Sequence, residues 1–142
     1  MRWAAVILLM LGALRVDAAV ALVNAALPVE RLSIERVRDL LLGRVTTWET
    51  GQPVTIILCT DQEGEPAITR ICGRSTSLLQ RGWKRLVFSG TGAMPLVVAS
   101  RQAGIDAIAR HPGALMVLQD AQPATGCRVI PIDEVVPPKT GQ

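Results

Sequence analysis

Gln52-Pro53 leads into Val54-Thr-Ile-Ile-Leu58, a run whose apolar character does not alternate. A strand with one wet face reads apolar and polar in turn, so this run demands cover on both sides. Strands of that kind belong to sheets flanked by helices, and the rest of the chain supplies both partners. Val20-Ala-Leu-Val23, Pro95-Leu-Val-Val-Ala99, Ala114 to Leu118 and Arg128-Val-Ile130 read as further strands. Ser33 can accept a bond from the N–H groups opening a helix, Glu35 suits its positive end, Ile34, Val37 and Leu41 line one face, and Gly43 stops it. A short helix is expected over Pro66 to Ile71, with proline in the first turn, where its missing N–H would have no partner. Ser75 or Ser77 starts a longer helix whose inner stripe is Leu79, Trp83 and Leu86. A last helix runs from about Arg101 to Arg110 with Ile105, Ile108 and Ala109 inward, and His111-Pro112-Gly113 ends it. The alternation predicts an α/β fold with a largely parallel sheet.

The N-terminus reads as an export signal: Arg2, a twelve-residue apolar run from Trp3 to Leu14, and small residues around Val16-Asp17-Ala18. That run is shorter than the roughly 20 residues a membrane span needs. The expected organisation is a signal peptide over 1–18, one domain over 19–134 and a flexible, proline-bearing tail over 135–142. The expected location is the periplasm, with cleavage near Ala18 and no membrane span afterwards. The net charge of +3 would fall to about +2, too weak and scattered for a nucleic-acid partner. Three cysteines permit at most one intramolecular disulfide. Cys59 ends a strand and Cys72 ends the following helix, so a bridge involving Cys127 is favoured over Cys59–Cys72.

No catalytic motif stands out, and neither an enzymatic role nor a cofactor is expected. Ser89-Gly90-Thr91-Gly92 can turn backbone N–H groups toward an anion, although a connecting turn would look the same. Thr60-Asp61 follows the buried strand, at the strand end where open α/β sheets bind ligands. Asp61, Glu63 and Glu65 bring three carboxylates and no neighbouring cation, which is unfavourable for phosphate and consistent with an acidic helix entry. Cys59 and His111 lack a group to orient them as nucleophile and base, and one His with three dispersed Cys does not match zinc spacing.

Over roughly Val20 to Ile132 the chain resembles one lobe of the phosphate-binding proteins of ABC transporters. The residues that carry the likeness are Val23-Asn24, Leu42-Gly43-Arg44, Trp48, Trp83, Phe88-Ser89-Gly90-Thr91-Gly92 with Pro95, and His111-Pro112-Gly113-Ala114. The resemblance implies a single lobe of a type II periplasmic-binding-protein-like fold. It also implies a substrate-binding role for a phosphate-type small anion or solute, with an ABC permease or a sensor protein as partner. The implied ligand residues are Thr60, Asp61, Ser89, Gly90, Thr91 and Gly92. The family's Arg-Ser-Asp-Gly-Ser-Gly-Thr motif falls on Cys59 to Glu65, which keeps Asp61 and Gly64, with Thr60 a near match. The arginine that would fork onto phosphate is replaced by Cys59, and Glu63 and Glu65 stand where hydroxyls would be. Those losses open an alternative reading, a degenerate lobe that binds no ligand and serves as a protein-interaction or sensor-accessory module.

Overall fold

The computed structural model describes residues 19–90 and 92–133. The expected signal peptide, Thr91 and the expected tail over 135–142 lie outside the described residues. Six strands form one sheet in the order β2-β6-β1-β5-β3-β4. They are β1 (Val20–Asn24), β2 (Leu32–Ser33), β3 (Thr55–Cys59), β4 (Leu96–Val98), β5 (Ala114–Leu118) and β6 (Cys127–Asp133). β3 pairs in parallel with β4 and β5, β2 pairs in parallel with β6, and β1 runs antiparallel to both β5 and β6. Five strands therefore point one way and β1 alone is reversed, which makes this an α/β fold with a mostly parallel sheet.

Alternation along the central strands sends successive side chains to opposite faces. Val23, Ile56, Leu58, Leu115 and Val117 join one apolar cluster, while Leu22, Ile57, Met116 and Leu118 join the other. Helices α1 (Ile34–Leu41), α2 (Gly64–Cys72) and α3 (Thr76–Phe88) cover the first face through Leu40, Ile68, Leu79 and Trp83. Helix α4 (Arg101–Arg110) covers the second through Ala107 and Ile108. The double cover explains why Ile57, Leu58 and the whole of β5 are buried apolar residues.

Local signals set the helix ends. Ser33, Ser75 and Ser100 each accept a bond from a backbone N–H in the first turn of α1, α3 and α4, so Ser75 rather than Ser77 opens α3. Gly43, with φ +76°, follows the last turn of α1. The expected helix over Pro66 to Ile71 begins earlier, because Asp61 caps it from upstream. Ala109 is exposed, and Ala107 takes the inward place expected of it. The phase of α4 follows from Gly104, where a Cβ would run into the sulfur of Met116.

All three cysteines are free thiols, so the expected bridge involving Cys127 does not form. Cys72 packs on the α1–α3 face, while Cys59 and Cys127 lie on the α4 face with β5 and β1 between their strands. Three strand spacings of about 4.8 Å exceed the Cα separation of about 4.4–6.8 Å that a disulfide spans.

Candidate functional site

β3 leads to α2 on one face of the sheet, and its edge neighbour β4 leads to α4 on the other. Two adjacent parallel strands that diverge in this way leave a crevice beyond their carboxyl ends, the place where open α/β sheets bind ligands. Thr60 and Asp61 stand there. The Thr60 amide and hydroxyl donate to the Val98 carbonyl at 3.0 and 3.3 Å, which ties the crevice floor to β4.

Asp61 faces the openings of two helices. Its Oδ1 accepts from the Glu63 and Gly64 amides at 2.9 and 3.0 Å, and its carbonyl accepts from the Glu65 amide at 3.1 Å, so it is the working cap of α2. The backbone N–H of Arg101, the first residue of α4, and the Cys59 thiol act on the same carboxylate and favour its charged form. Partial burial acts to raise its pKa. The Gly64 amide, the Cys59 thiol and the Glu63 and Arg101 amides oppose it, and together they hold Asp61 below the usual carboxylate range. Helix N-termini that would suit an external anion are thus already aimed at a carboxylate of the chain itself.

The neighbouring acids are engaged as well. Glu63 pairs with the Arg101 guanidinium at 3.3 Å, and that guanidinium also donates to the Asp120 carbonyl at 2.7 Å. Nothing in the acidic stretch signals this cation, because it arrives from the start of another helix. The parallel β3–β4 register, Cys59 opposite Val98, is what carries the start of α4 to the end of β3. Glu65 turns away and bonds to the Thr76 amide at 3.1 Å and to its hydroxyl, which fastens the first turn of α2 to that of α3. Gly64 is held by packing, since a Cβ there would strike the Cys59 carbonyl oxygen. Burial pushes the Cys59 thiol up to about 11, so it stays protonated at neutral pH and is a hydrogen-bond donor rather than a nucleophile.

Ser89, Gly90 and Gly92 lie at the other end of the sheet. Ser89 closes α3, its hydroxyl donating to the Leu86 carbonyl at 2.8 Å, and Gly90 and Gly92 take φ of +85° and +72°. A Cβ on Gly92 would lie within 3.4 Å of the Trp83 ring and 3.6 Å of Thr46, whose carbonyl bonds the Val54 amide just before β3 begins. Thr60 lies just after β3 ends, and six residues of extended chain at about 3.3 Å each put the two regions about 20 Å apart. Of the five expected ligand residues that are described, Thr60 and Asp61 share the crevice, while Ser89, Gly90 and Gly92 do not reach it.

A separate cleft of about 440 Å³ is lined by Leu27, Val29, Arg31, Ser33, Arg36 and Trp48 among others, and includes none of the expected ligand residues. Among the described residues, no cluster of His, Cys, Asp and Glu has the grouping of a metal site.

No family model matches the chain, and no curated protein does. Among solved structures the fold is similar to that of an ABC-type phosphate transport receptor from Vibrio cholerae, with a TM-score of 0.60 and 16% identity. The match covers 81% of this chain and 46% of the receptor, so the chain spans about half of the receptor's length. At that identity the likeness is one of fold.

Proposed function

We propose that this chain is a substrate-binding-like lobe of the phosphate-receptor kind, exported to the periplasm and working with an ABC transporter. The observation that carries the reading is the crevice between β3 and β4, where two helix N-termini converge in a fold similar to a phosphate transport receptor. Asp61 sets the chemistry of the ligand. With its carboxylate held by the amides of Glu63 and Gly64, the crevice offers an incoming solute a negative rim of Asp61 and Glu63. A solute with hydroxyl or ammonium donors suits that rim better than a fully ionised phosphate, which would meet like charge. The role is binding: the buried Cys59 thiol is protonated, and the Asp61 carboxylate is committed to the backbone amides that open α2.

Titration of isotopically labelled protein with phosphate, sugars and amino acids tests this reading. The expected result is saturable movement of the Thr60, Gly64 and Arg101 amide resonances with a donor-bearing solute, and little movement with phosphate. No perturbation of those amides by any of these solutes at millimolar concentration would remove the receptor role.

One feature favours the second reading, a ligand-free accessory lobe. Every carboxylate of the crevice already has a partner: Asp61 the helix amides, Glu63 the Arg101 guanidinium and Glu65 Thr76. Under that reading the crevice is a structural knot, and the protein acts through its surface on a permease or sensor protein.

A further inference from the structure

Charge is divided unevenly along this chain. Between Glu65 and Asp106 there is no acidic residue, while Arg70, Arg74, Arg81, Lys84, Arg85 and Arg101 supply six cations. Nine cations and twelve carboxylates make up the rest, so the excess positive charge of the protein is concentrated in the α2–α4 segment. Helix α3 displays the central part of it. Leu79 and Trp83 hold the inner side of this helix against the sheet, at 2% and 4% exposure. At 100° per residue, Arg81, Lys84, Arg85 and Phe88 project within about 100° of one another on the opposite side. All four are exposed, and Phe88, the chain's one phenylalanine, is 93% exposed. Among the described residues none of the three cations has an ion-pair partner.

A large aromatic ring left in water is unfavourable for an isolated domain. Unpaired cations around an exposed ring are complementary to the surface of an anionic bilayer, where the cations can lie over the phosphates and the ring can enter the headgroup boundary. Beside this face, a Cβ on Gly82 would meet nothing within 4 Å, so the helix surface there is open. Met94, Leu96 and Val97, in the segment that follows and on the edge strand β4, are exposed as well.

We infer that the outer face of α3 binds the surface of a bilayer containing anionic phospholipid, with Phe88 inserted and Arg81, Lys84 and Arg85 over the headgroups. This contact is independent of the crevice at β3 and β4, and it brings the lobe to the membrane without a span.

Co-sedimentation of the full chain with vesicles tests it, comparing phosphatidylcholine alone with phosphatidylcholine mixed with phosphatidylglycerol. The N-terminal segment, with the apolar run Trp3 to Leu14 between Arg2 and Arg15, is common to the parent and its variants, so the change in anionic preference between them is the quantity read. The parent should prefer them at least tenfold, and about 0.5 M salt should remove most of that preference. The double variant Lys84→Glu, Arg85→Glu should lose more than tenfold in affinity for anionic vesicles, since each cation near such a surface is worth about fivefold. Phe88→Ser should lose about tenfold on the same vesicles, and all variants should keep the parent's circular dichroism. Equal binding of the parent to the two vesicle types would overturn the inference, as would a double variant that binds like the parent. Salt-sensitive retention on polyglutamate by a parent that shows no vesicle preference would also overturn it, in favour of an acidic protein partner.

Discussion

Thr60-Asp61 and Ser89–Gly92 look alike as short polar loops at the ends of apolar elements, yet they use their polar groups in opposite ways. At the first, backbone amides from the starts of α2 and α4 converge on one carboxylate. At the second, a hydroxyl turns back onto its own helix, and two glycines bend the chain past a tryptophan. Convergence of helix starts makes a place for negative charge, whereas a helix end presents carbonyls and repels it. Which end of a helix a loop belongs to therefore matters more than its content of serine, threonine and glycine.

The largest expected effect lies at the second loop. Trp83 is buried beside Gly92 and Gly43, and its indole N–H donates to the Leu41 carbonyl at 2.8 Å. Trp83→Ala should lower stability by about 3–5 kcal/mol, measured by urea unfolding, because it empties a large core volume and leaves a carbonyl unpaired. A loss near that of an ordinary surface change would mean the loop does not rest on this ring.

Asp61→Ala comes next. It removes the cap of α2, with an expected loss of about 1–2 kcal/mol in the same measurement. Acid should reproduce part of that loss. Asp61 is held below its unfolded pKa, so its contribution is present above the unfolded value and fades as pH falls through the folded one. Asp61→Asn should accordingly flatten the acid limb of the stability–pH curve, and an unchanged limb would place the acid sensitivity elsewhere. Gly90→Ala should cost about 1 kcal/mol, since φ of +85° strains any residue with a Cβ. No change in thermal midpoint there would show that the turn can relax.

Much of the fold was legible in the sequence because its signals are local. The strand at Ala114–Leu118, the helix at Arg101–Arg110, the serine caps at Ser33 and Ser75 and the stop at Gly43 all follow from short patterns. The two-residue strand β2 was not legible, since Leu32–Ser33 pairs with Ile132 and Asp133 a hundred positions later. The crevice was half legible. Strand-end logic located Thr60 and Asp61, but the pairing of Glu63 with Arg101 and the turn of Glu65 to Thr76 depend on which strands are neighbours. The distance of Ser89 and Gly90 from Thr60-Asp61 has the same origin: α3 carries the chain back down the sheet before β4 returns, which leaves them at opposite ends of β3.

Between α2 and α4 the chain's own Asp61 carboxylate stands where an external anion would be drawn. Calorimetric titration of the protein with inorganic phosphate at neutral pH should therefore show no affinity tighter than about 10 μM, equivalent to roughly 7 kcal/mol. Saturable binding of phosphate well below that concentration, lost in Asp61→Ala, would contradict it.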